Sequence, residues 1–155
     1  MSNSYAQATV APHLPSKLFS RIELDFLEAN GFAHELTDEG NYYFFAEDNF
    51  NTAGDDFEVD EGLPQKQREY LQKLTEKWTV LTVFQEVLKR QTDIKEIIIK
   101  GAYTCSRMLE GEFGGYAARI TATTIQDGGI DCLLDWFRAN PDMPSLVTNN
   151  NLYLA

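Results

Sequence analysis

The chain has 155 residues, a length that fits one domain and a real core without disulfide or metal staples. Hydrophobic residues make up 43% and aromatics 12%, which excludes a disordered chain, and no apolar run approaches the ~18–20 residues of a membrane helix. There are 24 acids against 13 bases, a net charge of −11, and direct nucleic-acid binding, which needs a basic patch, is disfavoured.

Residues 1–15 are small, polar and broken by Pro12 and Pro15, and read as a flexible N-terminal tail ahead of a single α+β domain, 16–155. The tail has no basic start and no apolar stretch, so no secretory signal is read and the expected location is cytoplasmic. Ser16 to Asn30 reads as a helix. Ser16 suits the N-cap, Leu18, Ile22, Phe26 and Ala29 share a face, and Asn30-Gly31 is a stop. Phe32–Thr37 and Tyr42–Glu47 read as a hairpin around Asp38-Glu39-Gly40-Asn41. The aromatic run Tyr42 to Phe45 puts rings on both faces, which predicts a central strand covered on both sides.

Asp48 to Gly54 reads as a loop. Asp56-Phe57-Glu58-Val59-Asp60 then alternates acid with apolar residue, the pattern of a half-buried strand with its acids outward. Gly62-Leu63-Pro64 ends it and opens the longest predicted helix, Pro64 to Gln91. The β-branched stretch from Thr79 to Phe84 argues for strand, but the unbroken helical flanks favour helix. Ile94–Cys105 and Tyr116–Ile125 read as strands joined through the turn region Glu110–Gly115. Asp127-Gly128-Gly129 leads into a last helix, Ile130–Asn140, with Ile130, Leu133, Leu134 and Phe137 on one face. Ser145 to Leu154 reads as an edge strand or a stretch draped over the core. The order α-β-β-β-α-β-β-α predicts an α+β fold, a mostly antiparallel sheet of about five strands with helices packed on one face.

Charge is the most informative feature. Thirteen acids and no Lys or Arg lie between Ile22 and Gln65, while residues 66–155 carry eleven of each sign. The whole net negative charge therefore comes from one segment, whereas acidity serving only solubility is spread more evenly. Three readings compete: a solvated face, a surface for a basic protein, and a divalent-cation site. An EF-hand loop started at Asn49 fails, because position 5 is Ala53 and position 12 is the short Asp60. A looser cation site among Asp48, Asp55 and Asp56 has no further support. Nucleic-acid mimicry is a special case of the second reading. Outward residues of a strand repeat every ~6.6–6.8 Å, so Asp56, Glu58 and Asp60 echo alternate phosphates of a DNA strand.

Motifs for catalysis are lacking. Cys105 and Cys132 make no Cys-x-x-Cys pair and read as buried free thiols, and His34 has no local pairing with Cys105. Glycine-rich phosphate loops, nucleophile elbows and zinc-ligand spacings are absent from the sequence, so no catalytic residue, metal or cofactor is expected. The expected function is non-enzymatic: an acidic interaction protein, of inhibitor, immunity or regulatory type, that binds a basic surface on a macromolecular partner. Its candidate contacts are Asp48, Asp55, Asp56, Glu58, Asp60 and Glu61, with Phe50 as apolar anchor. The alternative is a small-ligand binder or enzyme whose pocket draws on Tyr103, Cys105, Arg107, Tyr116 and Arg119 around the second hairpin. A homodimer that sets the bases of the long helix, from Lys66 to Arg90, against a second copy's acidic segment is the third expectation. No membrane partner is expected.

Overall fold

Residues 4–142 are described by the structure, a computed structural model. Its framework is an antiparallel sheet in which strands β1 (Ser4–Ala11), β4 (Asn41–Ala46), β5 (Ile97–Cys105), β6 (Gly114–Ile120) and β7 (Ile125–Gly129) run in the order β4-β1-β5-β6-β7. β3 (Ala33–Leu36) pairs the outer edge of β4, and the two-residue β2 (Leu14–Pro15) continues β1 along its other edge. The helices are α1 (Arg21–Ala29), α2 (Gln65–Thr75), α3 (Val80–Leu88) and α4 (Ile130–Ala139). The fold is α+β, with α1 and α3 against one sheet face. Seven strands rather than about five are present among the described residues, and the order begins with β rather than α.

The expected tail is the largest correction. Ser4–Ala11 is a central strand, paired with β5 from Ser4↔Cys105 to Ala11↔Ile98 and with β4 through Ala8↔Ala46. Ala6, Ala8 and Val10 face inward and are buried, while Tyr5, Gln7 and Thr9 face out. That is the period of two expected of a half-buried strand, written in residues too small to announce a core. A domain boundary at residue 15 is therefore wrong.

Three further elements shift for local reasons. The first helix begins at Arg21, not Ser16, because Ser20 and Glu23 form a reciprocal capping box, and Ser16–Leu18 is a separate 3₁₀ turn. The long helix is two. Thr79 caps α3 by accepting from the Thr82 N–H, and the Thr82 hydroxyl accepts from the Thr79 N–H, so the chain turns between Thr75 and Val80. Ile125–Gly129, expected as a strand end and a turn, is the edge strand β7, paired with β6 from Ile120↔Ile125 to Tyr116↔Gly129. The last helix falls as expected; the expectation for Ser145–Leu154 lies outside the described residues.

The core fills the space between the sheet and α1 and α3. Phe26, Phe32, Phe44 and Phe84 are fully buried, each worth about 1.5–3 kcal/mol of transfer free energy. Phe44 and Phe84 meet edge to face at 5.3 Å. Tyr42 and Phe44 join this core, but Tyr43 and Phe45 stack on each other at 5.2 Å on the opposite face and are only half-buried. β4 is interior to the sheet, yet it is covered on one face, not two.

Among the described residues, one ion pair has a buried carboxylate. The Arg90 guanidinium donates to both carboxylate oxygens of Glu23, at 2.7 and 2.8 Å, and to the Leu18 carbonyl at 2.8 Å. Glu23 is 3% exposed and also accepts from the Ser20 N–H and hydroxyl, so one carboxylate closes the α1 cap and ties α1 to the end of α3.

Candidate functional site

The acidic segment leaves β4 at Ala46 and returns to regular structure at Gln65. Between them the backbone is irregular, so the strand predicted over Asp56–Asp60 is not formed. Its side-chain alternation survives. Phe57 and Val59 are half-buried, with the Phe57 ring 5.3 Å from that of Phe26, and Asp56, Glu58 and Asp60 are exposed. Without strand geometry the ~6.6 Å repeat behind the comparison with DNA phosphates loses its basis.

A few backbone and polar contacts hold this irregular stretch. Asn30, 1% exposed at the end of α1, is the hub. Its carbonyl accepts from the Asn51 N–H at 2.9 Å and its side-chain carbonyl from the Asp56 N–H at 3.0 Å. Its side-chain amide donates to the Phe26 carbonyl at 2.8 Å. The Val80 N–H donates to the Thr52 carbonyl at 3.0 Å, and the Ala6 N–H to the Asp48 carbonyl at 3.2 Å. Two glycines permit close passage. Gly31 has φ +94° with the Asn49 carbonyl against it, and Gly54 has φ +90° where a Cβ would lie 2.9 Å from the Trp78 carbonyl. Both conformations are rare for other residues, and backbone occupies the space a side chain would need.

Phe50, the expected partner anchor, turns inward. Its ring stacks on Tyr103 at 5.5 Å, lies 6.0 Å from Tyr116 and 5.7 Å from Phe32, and fills the space left by the missing side chain of Gly101. It anchors the segment to the core.

Asp48, Asp55, Asp56, Glu58, Asp60 and Glu61 are all exposed. None takes part in an ion pair among the described residues. Of the thirteen acids in the base-free segment only Glu23 and Asp25 are paired, with Arg90 and Arg21. The six candidates do not form one patch. Asp55, Glu58 and Glu61 line an open groove of about 650 Å³ against α2, shared with Arg68 and Lys77. Asp48 lies on a different groove, beside Tyr5, Tyr103 and Phe113. Arg68 on α2 and Lys77 just beyond it share this groove without an ion pair to the segment, and the Arg68 Nε is buried with no hydrogen-bond partner. Among the described residues, no group of three or more His, Cys, Asp or Glu is placed to hold a metal ion.

The residues of the alternative pocket separate. Tyr103 and Tyr116 sit with Phe50 on the core face of the sheet. Burial raises the pKa of both phenols, and the Asp127 carboxylate, which accepts from the Tyr116 hydroxyl at 3.0 Å, raises that of Tyr116 further. Arg119 lies on the opposite face, where it donates to Glu96 at 3.0 Å and to Gln126 at 3.2 Å. Arg107 is exposed in the loop after β5. Cys105 is buried, 3% exposed, at the end of β5 beside Glu112, which accepts from its thiol and from the Ser4 hydroxyl; both hydrogen bonds lower the pKa of Glu112. His34 packs edge-on to Tyr42 on β3, three strands from Cys105, so the two are not partners. Cys132, expected to be buried, is exposed on α4.

In the sequence Asn30 reads only as a helix stop, not as a clamp. No local pattern marks it, since its partners Asn51 and Asp56 lie 21 and 26 residues ahead. Among the described residues no helix is long and apolar enough to cross a membrane. Set against known proteins, the chain matches no family model, no curated protein and no solved structure.

Proposed function

We propose that the chain is a non-enzymatic interaction protein whose acidic segment, residues 47–61, docks on a basic surface of a protein partner. The observation that carries the reading is six exposed carboxylates without ion pairs, held on a segment pinned to the core by Asn30 and Phe50. Unpaired carboxylates keep their field available to a partner, and a pinned backbone lowers the ordering cost of binding. Asp55, Glu58 and Glu61 share one groove, and like charge grouped in this way speeds encounter with an opposite patch. Inhibition or regulation of the partner by masking its basic surface is the role this chemistry serves, and the cytoplasm is the compartment proposed for it.

The test is capture from source-cell lysate at low and high salt, with wild type beside Asp56→Asn/Glu58→Gln/Asp60→Asn. A basic protein retained by the wild type at low salt, released at high salt and missed by the variant is the expected result. Recovery of the same proteins by both baits, at both salts, would overturn the proposal.

A further inference from the structure

The geometry points to the groove beside Phe113 as a binding site for an organic cation, an alkylammonium or guanidinium group on an apolar stem. The groove has a volume of about 640 Å³, within the range of small-molecule sites. Three aromatic residues border it: Tyr5 on β1, Tyr103 on β5, and Phe113 in the turn before β6. Tyr103 is held in place, because its ring stacks on that of Phe50. Tyr5 and Phe113 are 41% and 43% exposed, so packing within the fold does not use up their surfaces. Gly114 and Gly129 also line the groove, and their missing side chains leave room in it.

Three carboxylates stand around these rings, those of Asp48, Glu112 and Asp131. Glu112 is oriented by the Ser4 hydroxyl and the Cys105 thiol, neutral donors that leave its charge intact. Asp48 and Asp131 take part in no ion pair among the described residues. No Lys, Arg or His lines this groove, whereas Arg68 and Lys77 stand among the acids of the groove beside α2. The carboxylates are set round the groove without converging, since no group of three or more acids, His or Cys among the described residues is placed to hold a metal ion. A hard divalent cation wants six or more oxygens gathered on it, so this arrangement does not suit one. It suits a cation whose charge is spread or carried on a stem. Aromatic faces attract such a charge and cover the stem, and a carboxylate neutralises the head. Of the six acids proposed for docking only Asp48 borders this groove, so the site stands without that docking.

The probes are Nα-acetyl-arginine amide and Nα-acetyl-lysine amide, with Nα-acetyl-norleucine amide as the uncharged counterpart. Titrated into the isotope-labelled full chain, the two cations should shift the amide resonances of Gly111, Gly114 and Gly129 saturably and leave those of Gly40 and Gly62 in place. The norleucine probe should bind at least about tenfold more weakly. Phe113→Ala and Glu112→Gln should each weaken cation binding by about three- to tenfold, with Gly40 and Gly62 unchanged. The comparison of probes on the wild type decides even where a variant fails to fold. Asp56→Asn/Glu58→Gln/Asp60→Asn should bind the cations like wild type, which separates this site from the docking segment. A peptide, acetyl-Ala-Ala-Arg-Ala-Ala-amide, tells the source of the cation. Binding about tenfold tighter than the arginine probe assigns the site to a side chain of a protein partner, and no gain from the flanking residues assigns it to a free cation. Equal binding of the norleucine and cationic probes would overturn the proposal. So would shifts that spread over the chain without saturating, full affinity in both folded single variants, or loss of binding in the triple variant.

Discussion

Glu23 shows how a carboxylate in the acidic segment comes to hold the fold together. Burial opposes its ionisation, but the hydrogen bonds from Arg90 and Ser20 outweigh that cost and leave its pKa below the ordinary 4.5. The same pair raises the pKa of Arg90. A carboxyl whose folded pKa is depressed stabilises the protein above its unfolded pKa and loses that contribution as pH falls through the folded value. Glu23→Gln should cost about 2 kcal/mol at pH 7. That lies between the limits for buried and exposed pairs, because the Arg90 side chain keeps 41% of its exposure. Denaturant unfolding from pH 7 down to 3 checks it: the gap between wild type and variant should narrow once pH drops below 4.5. A constant gap would mean that packing, not ionisation, sets the cost. Asn30 works at the same scale by a different means. It is neutral and buried, and it spends its backbone and side-chain hydrogen bonds on fixing two points of the acidic segment.

The break between α2 and α3 matters most among the elements, because it opens the groove against which the acidic segment lies. A continuous helix from Pro64 to Gln91 would carry Trp78 and Thr79 straight on. Instead Trp78 meets Phe26 edge to face at 5.4 Å, and Thr79 caps the new helix. Thr79→Ala should cost about 1 kcal/mol, or about 2–4 °C in Tm, and Thr79→Ser should retain most of it. Thermal melts of the two variants measure this; equal losses would show that the Thr79 hydroxyl is not what caps α3. α4 is the opposite case, an element whose limits follow from its own pattern and terminal proline but whose apolar side chains, though they meet β6 and β7, stay 39–46% exposed.

Across the whole molecule, uneven charge sets the behaviour. The unpaired carboxylates of the acidic segment repel one another through solvent, which destabilises the compact state at low salt. Adding salt to ~0.5 M should therefore raise Tm by about 2–4 °C. Asp56→Asn/Glu58→Gln/Asp60→Asn should melt higher than wild type at low salt and respond less to added salt. Calorimetry in a salt series checks both, and a wild-type Tm that falls with salt would show that attraction to Arg68 and Lys77 outweighs the repulsion. This measurement needs no partner and separates the electrostatics of the segment from its proposed role in binding.

Some of this protein follows from local sequence alone. The hairpin of β3 and β4 comes from turn residues flanked by strand formers, α4 from its helical stripe, and the outward acids of residues 56–60 from their alternation with Phe57 and Val59. Each signal is complete within about ten residues, and the charge of a segment needs no fold at all. Tertiary structure decided the rest. Ser4–Ala11 is a strand because β4 and β5 supply its hydrogen bonds, about forty and a hundred residues away. Asp56–Asp60, with the better strand pattern, is not one, because no neighbouring edge pairs with it. Phe50 turned inward because Gly101, remote in sequence, left room for its ring. A strand or an anchor is half defined by its partner, and partners distant in the chain are chosen only when the whole molecule packs.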